Sequence, residues 1–213
     1  MKKKIAILSC IVFLAAIGGF FVFKNYMPVT DKISDNEITR KFEVGGSMSD
    51  YVHYENASDM AKRSDLILVG KVTEDFIGAK NFDDRDNDSI YPSGYYTVRE
   101  LKVSKFIKGY EDKVILAENA IIADYNGEQG FFTCDEAVTI AKKNVNYLFF
   151  LTKSYDDDSY FISGLWCGKI NLEAKEKDLD EKKLDEDPVI ADFKAQVLKE
   201  YRDDLIEYKR IKK

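Results

Sequence analysis

Histidine is almost absent from this 213-residue chain, and His53 is the only one. A two- or three-histidine metal centre is therefore excluded, and a catalytic triad would need a serine or cysteine partner that no motif supplies. His53 stands in Tyr51-Val52-His53-Tyr54, a stretch that reads as packing or surface. Cysteine is scarce as well: among Cys10, Cys134 and Cys167 there is no Cys-x-x-Cys pair. The chain also lacks a phosphate-binding glycine loop and a Gly-x-Ser-x-Gly elbow. An excess of positive charge is missing too. Without Lys2, Lys3 and Lys4 the remaining 29 basic side chains face 38 acidic ones, a balance of −9. That sign argues against binding nucleic acid or anionic lipid through bulk charge. On these absences the chain reads as a non-enzyme without a cofactor.

What the sequence does have begins with a long apolar run. After Met1-Lys2-Lys3-Lys4, residues Ile5 to Phe23 carry no charged side chain, and Lys24 closes the stretch. Nineteen helical residues span roughly 28 Å, close to the hydrocarbon thickness of a bilayer. The leading lysines place the N-terminus in the cytoplasm and send the rest outward. A cleaved signal, processed near Ala15, Ala16, Gly18 or Gly19, is the alternative, and it would leave a secreted protein. Phe20-Phe21-Val22-Phe23 prolongs the run beyond those small residues and favours a retained single-pass anchor in the cell membrane. Cys10, within the run, reads as an ordinary membrane residue.

The pattern divides the chain into an anchor or signal (residues 1–24), a polar spacer (25–52) around Gly45-Gly46-Ser47, a β domain (53–172), a charged linker (173–187) and an amphipathic helix (188–211). Apolar residues make up 45% of the chain and aromatic ones 13%, enough for a core. Asn56 to Ser64 offers capping residues for a two-turn helix. Strands are expected over 65–76, 95–107, 113–118, 145–153 and 160–172, and 119–146 shows no clear period. Tyr96 and Val98 fall in one phase and Leu101 and Val103 in the other, which predicts a β-bulge near Arg99-Glu100. In the last strand Tyr160, Ile162, Trp166, Ile170 and Leu172 share a face, with Gly164 and Gly168 marking curvature or close approach. Asp187-Pro188 opens the final helix, whose stripe is Ile190, Phe193, Val197, Tyr201, Leu205 and Tyr208.

The segments Ser64-Asp65-Leu66-Ile67-Leu68-Val69-Gly70-Lys71-Val72, Tyr96-Thr97-Val98 through Phe106-Ile107-Lys108-Gly109, and Asn146-Tyr147-Leu148-Phe149-Phe150-Leu151 resemble the netrin-module or tissue-inhibitor-of-metalloproteinase group. They also resemble bacterial secreted proteins of unassigned role with such a domain. The resemblance covers about residues 56–172. It implies a mainly β fold, a five-stranded, partly open OB-like barrel whose face and loops commonly bind something. The group's inhibitors chelate a target's metal through a free N-terminal cysteine. No cysteine lies between Phe23 and Thr133, so that mechanism carries over to no residue here.

Four clusters of residues are candidates for function. Asp84, Asp86 and Asp88 alternate as the first ligands of a calcium loop do. The match ends at Ser89, where glycine belongs, and at Tyr95, where glutamate belongs, so a solvated acidic hairpin tip is the favoured reading. Asp156-Asp157-Asp158 reads as a charged turn. Cys134 and Cys167 either pair outside the membrane, which would stabilise the domain by roughly 3–4 kcal/mol, or stay as two buried thiols. Tyr95, Tyr96 and Trp166 form a candidate ligand platform, and core filling explains them equally well. The expectation is a membrane-tethered extracytoplasmic binding or accessory module, engaging a protein or cell-envelope component and no nucleic acid. An envelope hydrolase using carboxylates and a secreted inhibitor-like protein are the alternatives.

Overall fold

A computed structural model describes residues 44–46, 54–83, 94–125, 128–133, 139–164, 166–173 and 186–211. The apolar run at 5–23, Asp84, Asp86, Asp88 and Cys134 lie outside these residues, as do most of the spacer and linker. No helix among the described residues is long and apolar enough to cross a membrane.

The protein is mainly β. In chain order the elements are β1 (Val44–Gly46), α1 (Ala57–Arg63), β2 (Leu66–Val72), β3 (Lys80–Asp83), β4 (Tyr95–Lys108), β5 (Val114–Glu118), β6 (Ala120–Tyr125), β7 (Glu128–Thr133), β8 (Tyr147–Lys153), β9 (Ser159–Ile162), β10 (Lys169–Asn171), α2 (Pro188–Glu200) and α3 (Arg202–Ile211). Five strands close a barrel in the order β2, β4, β5, β9, β8 and back to β2. The β5–β9 pair is parallel and the other four pairs are antiparallel. Closure leaves the barrel without a free edge, where a partly open one was expected.

The run Leu66-Ile67-Leu68-Val69 is apolar on both faces because both faces are buried. Leu66, Leu68 and Val72 point into the barrel with Leu116, Tyr147, Phe149 and Leu151. Ile67 and Val69 point outward with Leu148 and Phe150, and there they meet α1 and the C-terminal helices. Asn56 caps α1 by accepting from the Asp59 N–H at 3.0 Å. Asp187 caps α2, accepting from the Val189 and Ile190 N–H groups at 2.8 and 3.3 Å. The single C-terminal helix expected over 188–211 is two consecutive segments that meet at Tyr201. The stripe keeps its phase across that junction: Phe193, Val197, Tyr201, Leu205 and Tyr208 all join the outer cluster.

The bulge predicted near Arg99-Glu100 is absent there. Pairing of β4 with β5 is unbroken from Thr97 to Leu101, and the register shifts fall in the β2–β4 ladder, beside Ser104 and Ile107. Tyr95, Thr97, Arg99 and Leu101 all face inward, so polar Thr97 and charged Arg99 hide the true phase from an apolar pattern.

The strand expected over 160–172 is in two pieces. β9 pairs with Leu151–Lys153 and β10 with Tyr147–Phe149. Between them the chain leaves the ladder and returns at Phe150, whose N–H donates to the Gly168 carbonyl and whose carbonyl accepts from the Ser163 N–H. A Cβ at Gly168 would stand 2.1 Å from the Ser163 carbonyl oxygen, so only glycine lets the two stems meet. The excursion also swaps faces: Ile162 packs with the barrel interior, Trp166 and Leu172 with the helix cluster.

The unassigned 119–146 stretch contains the β6–β7 hairpin, and β1 adds to β7 in parallel register, Val44 opposite Phe131 to Gly46 opposite Thr133. Gly45 and Gly46 therefore belong to a strand, where a spacer was expected. Tyr95, Ile121 and Phe132 form a small cluster between this sheet and β4.

Candidate functional site

The structure separates the three residues of the expected platform. Tyr95 is buried in the small cluster with Ile121 and Phe132. Trp166 packs edge-on to Phe193, ring centres 5.8 Å apart. Tyr96 lies on the outer face of the barrel, in an aromatic strip that the sequence alone did not assemble. Its ring stacks on Phe82 of β3 at 4.7 Å and meets the Phe161 ring edge-on at 5.2 Å. Pairing explains the strip. Phe82 stands opposite Tyr96, and Phe161 stands beside Ala117, the neighbour of Val98. The small Ala117 side chain leaves room for the two larger rings to meet. All three rings stay partly exposed, and the Lys80 ammonium sits 4.4 Å from the Phe82 ring centre.

Asp157 anchors this strip. Its carboxylate accepts from the Ser159 hydroxyl, from the Ser159 N–H at 2.8 Å and from the Tyr96 hydroxyl at 2.9 Å. The Ser159 hydroxyl, above all, holds the Asp157 carboxyl below the usual carboxylate range. Burial, then the bond to Asp157, pushes the Tyr96 phenol up to about 12. The Asp156-Asp157-Asp158 turn is thus more than a charged loop, since Asp157 fixes how Tyr96 is presented. Beyond it Tyr155 is fully exposed.

A second surface surrounds Tyr54. Behind Tyr54, Ser163 Oγ lies 3.1 Å from Ser64 Oγ and 2.8 Å from Thr152 Oγ1. Gly164 takes a φ of +62°, and a Cβ there would stand 2.7 Å from the Tyr54 ring. Cys167 is buried behind the loop as a free thiol, and burial pushes it up to about 12. A thiol held neutral in this way is a poor nucleophile.

The most buried charges lie inside the barrel end. Arg99 and Glu118 have side-chain exposures of 0% and 1%. Arg99 Nε donates to Glu118 Oε2 at 2.9 Å, Nη2 to the Ala141 carbonyl at 2.7 Å and Nη1 to the Glu74 carbonyl at 3.2 Å. Glu118 Oε1 accepts from the Ala141 N–H at 2.6 Å. Lys169 donates to the Thr139 carbonyl, and Tyr147 Oη accepts from the Lys142 N–H. These side chains pin residues 139–142, which lie in no ladder. Among the described residues Glu118 is the only buried carboxylate, and it faces a guanidinium instead of a second acid. No metal-binding group of His, Cys, Asp or Glu stands among the described residues.

These features define a class, a small closed β-barrel with a helical cover on one flank and an aromatic strip on another. The chain matches no protein-family model and no curated protein.

Proposed function

We propose that the chain is a membrane-tethered extracytoplasmic binding module. In this reading residues 5–23 form a single-pass anchor with the N-terminus in the cytoplasm, and the barrel outside engages a protein or cell-envelope component. The barrel is of the OB type, as the resemblance to the netrin and metalloproteinase-inhibitor group implies. Supporting that type is the strand order: the first, second, third, fifth and fourth strands follow one another and close on the first, with the third and fifth parallel.

The observation that carries the binding reading is the strip of Phe82, Tyr96 and Phe161. It lies between the β2–β4 connection, which contains β3, and the β8–β9 turn, which contains Asp157. OB barrels present ligands with these two connections and the face between them. Partly exposed rings held by neighbours lose little freedom on binding, which suits an anchoring surface.

The test is photo-crosslinking in intact cells from a reactive residue replacing Phe82, with one replacing Lys199 as control. A discrete adduct from position 82, reduced by Tyr96→Ala, is expected. No adduct from position 82, or the same adducts from both positions, would remove the binding reading. Mass spectrometry of the mature protein tests the tether, since a new N-terminus near Gly18 or Gly19 would make the protein secreted.

A further inference from the structure

The hollow beside Trp166 has a chemistry of its own. Tyr54 and Trp166 wall it, Phe193 lies at its base, and Val189, 70% exposed, forms an apolar lip. Glu55 and Asp192 stand on its rim, and among the described residues no lysine or arginine lines it. Its volume is about 440 Å³, more than one side chain fills. Glu55 has no ion-pair partner among the described residues, and the Asp192 carboxylate takes one bond, from Gln196 at 2.8 Å. Both retain capacity to accept. The indole is held in place by its edge contact with Phe193, and Tyr54 by packing on the outer core cluster and against Gly164.

Aromatic faces attract cations through the ring quadrupole, and adjacent carboxylates add directional acceptors for a guanidinium or ammonium. The hollow on the other side of Tyr54 does not share this character. It is lined by Glu55, Asp59, Lys62 and Arg63, of mixed sign, and Lys62 already pairs with Asp59 at 3.0 Å. The pull on a cation is therefore confined to the Trp166 side.

We propose that this groove binds a basic extended peptide segment of a partner protein. An arginine or lysine enters between Tyr54 and Trp166, Glu55 and Asp192 meet its charge, and the flanking residues of the peptide lie over Val189. A peptide fits better than a small amine because the space exceeds one cationic group and continues onto an apolar lip. This surface is separate from the Phe82–Tyr96–Phe161 strip and does not depend on it.

Trp166 is the only tryptophan, so its emission reports on this groove alone. The full-length chain in detergent is titrated with the capped peptide Gly-Arg-Gly-Arg-Gly, with its Arg→Glu counterpart and with tetramethylammonium, at low and high salt. A saturable change with the arginine peptide alone is expected, weakened by salt. The double variant Glu55→Gln, Asp192→Asn should bind on the order of tenfold more weakly, and so should Val189→Lys, while Phe82→Ala binds as the wild type does. Thermal midpoints taken alongside separate lost binding from lost folding, and two variants give independent readings. No saturable change at low salt, an equal response to the glutamate peptide, or unaltered affinity in folded variants would overturn the proposal. Equal binding of tetramethylammonium would overturn the commitment to a peptide.

Discussion

A guanidinium sealed from water is costly unless every N–H and every unit of charge is answered. Arg99 meets that condition with Glu118, two carbonyls and the Phe76 ring, whose centre is 5.2 Å from the guanidinium carbon. Removing one partner strands the other. Arg99→Met and Glu118→Leu should each destabilise the fold by about 3–5 kcal/mol, and the double variant by clearly less than their sum. Urea denaturation of the three variants checks this. At Gly168 the obstacle is steric: Gly168→Ala drives a methyl against the Ser163 carbonyl and should cost about 1–3 kcal/mol, visible as a lower thermal midpoint. Both glycines of this loop were legible as sites of close approach. Arg99 was not, because a charged residue in a strand reads as outward-facing until its partner, nineteen positions along the chain, is known to point at it.

Among the elements, the C-terminal helices owe their place to burial far more than to charge. Phe193 and Val197 are buried against strands that are apolar on their outer face, whereas Lys105 holds Asp204 and Glu207 by ion pairs whose acids are 39% and 64% exposed. Phe193→Ala should therefore cost about 3–5 kcal/mol and Lys105→Met less than about 1 kcal/mol, a contrast that denaturation midpoints resolve. The 3.6-residue stripe made this helix readable from sequence, and the doubly apolar Leu66–Val69 and Leu148–Phe150 runs announced the surface that receives it. The break at Tyr201 left no mark, since the stripe continues through it. The β9–β10 excursion escaped because a chain that leaves a ladder and rejoins the same strand keeps much of its alternation. Residues 139–142 had no period to read. Side chains from β4, β5, β8 and β10 bind that backbone, and such pairings exist only once the strands are assembled.

For the whole molecule, alkaline pH is a weakness shared by several side chains whose protons the fold retains. Burial holds the Tyr96 and Tyr201 phenols and the Cys167 thiol at about 12. In the unfolded chain these groups lose their protons near pH 10 and pH 9. The neutral forms favour the fold, so their contribution is full below about pH 9 and is lost as pH rises toward about 12. The urea midpoint should fall between about pH 8 and about pH 11; a constant midpoint would contradict this. At this scale five strands were readable from their apolar patterns and the barrel they form only through the family resemblance, while the aromatic strip was not readable, because Phe82, Tyr96 and Phe161 meet only through the sheet's register. The way the chain enters the domain also has a mechanical side. β1 is held to β7 by three residue pairs at a sheet edge, while the barrel behind it is closed on itself. A pull from the N-terminal side would load those few bonds first and peel β1 as a fuse, leaving the barrel to bear force only after that segment has lengthened.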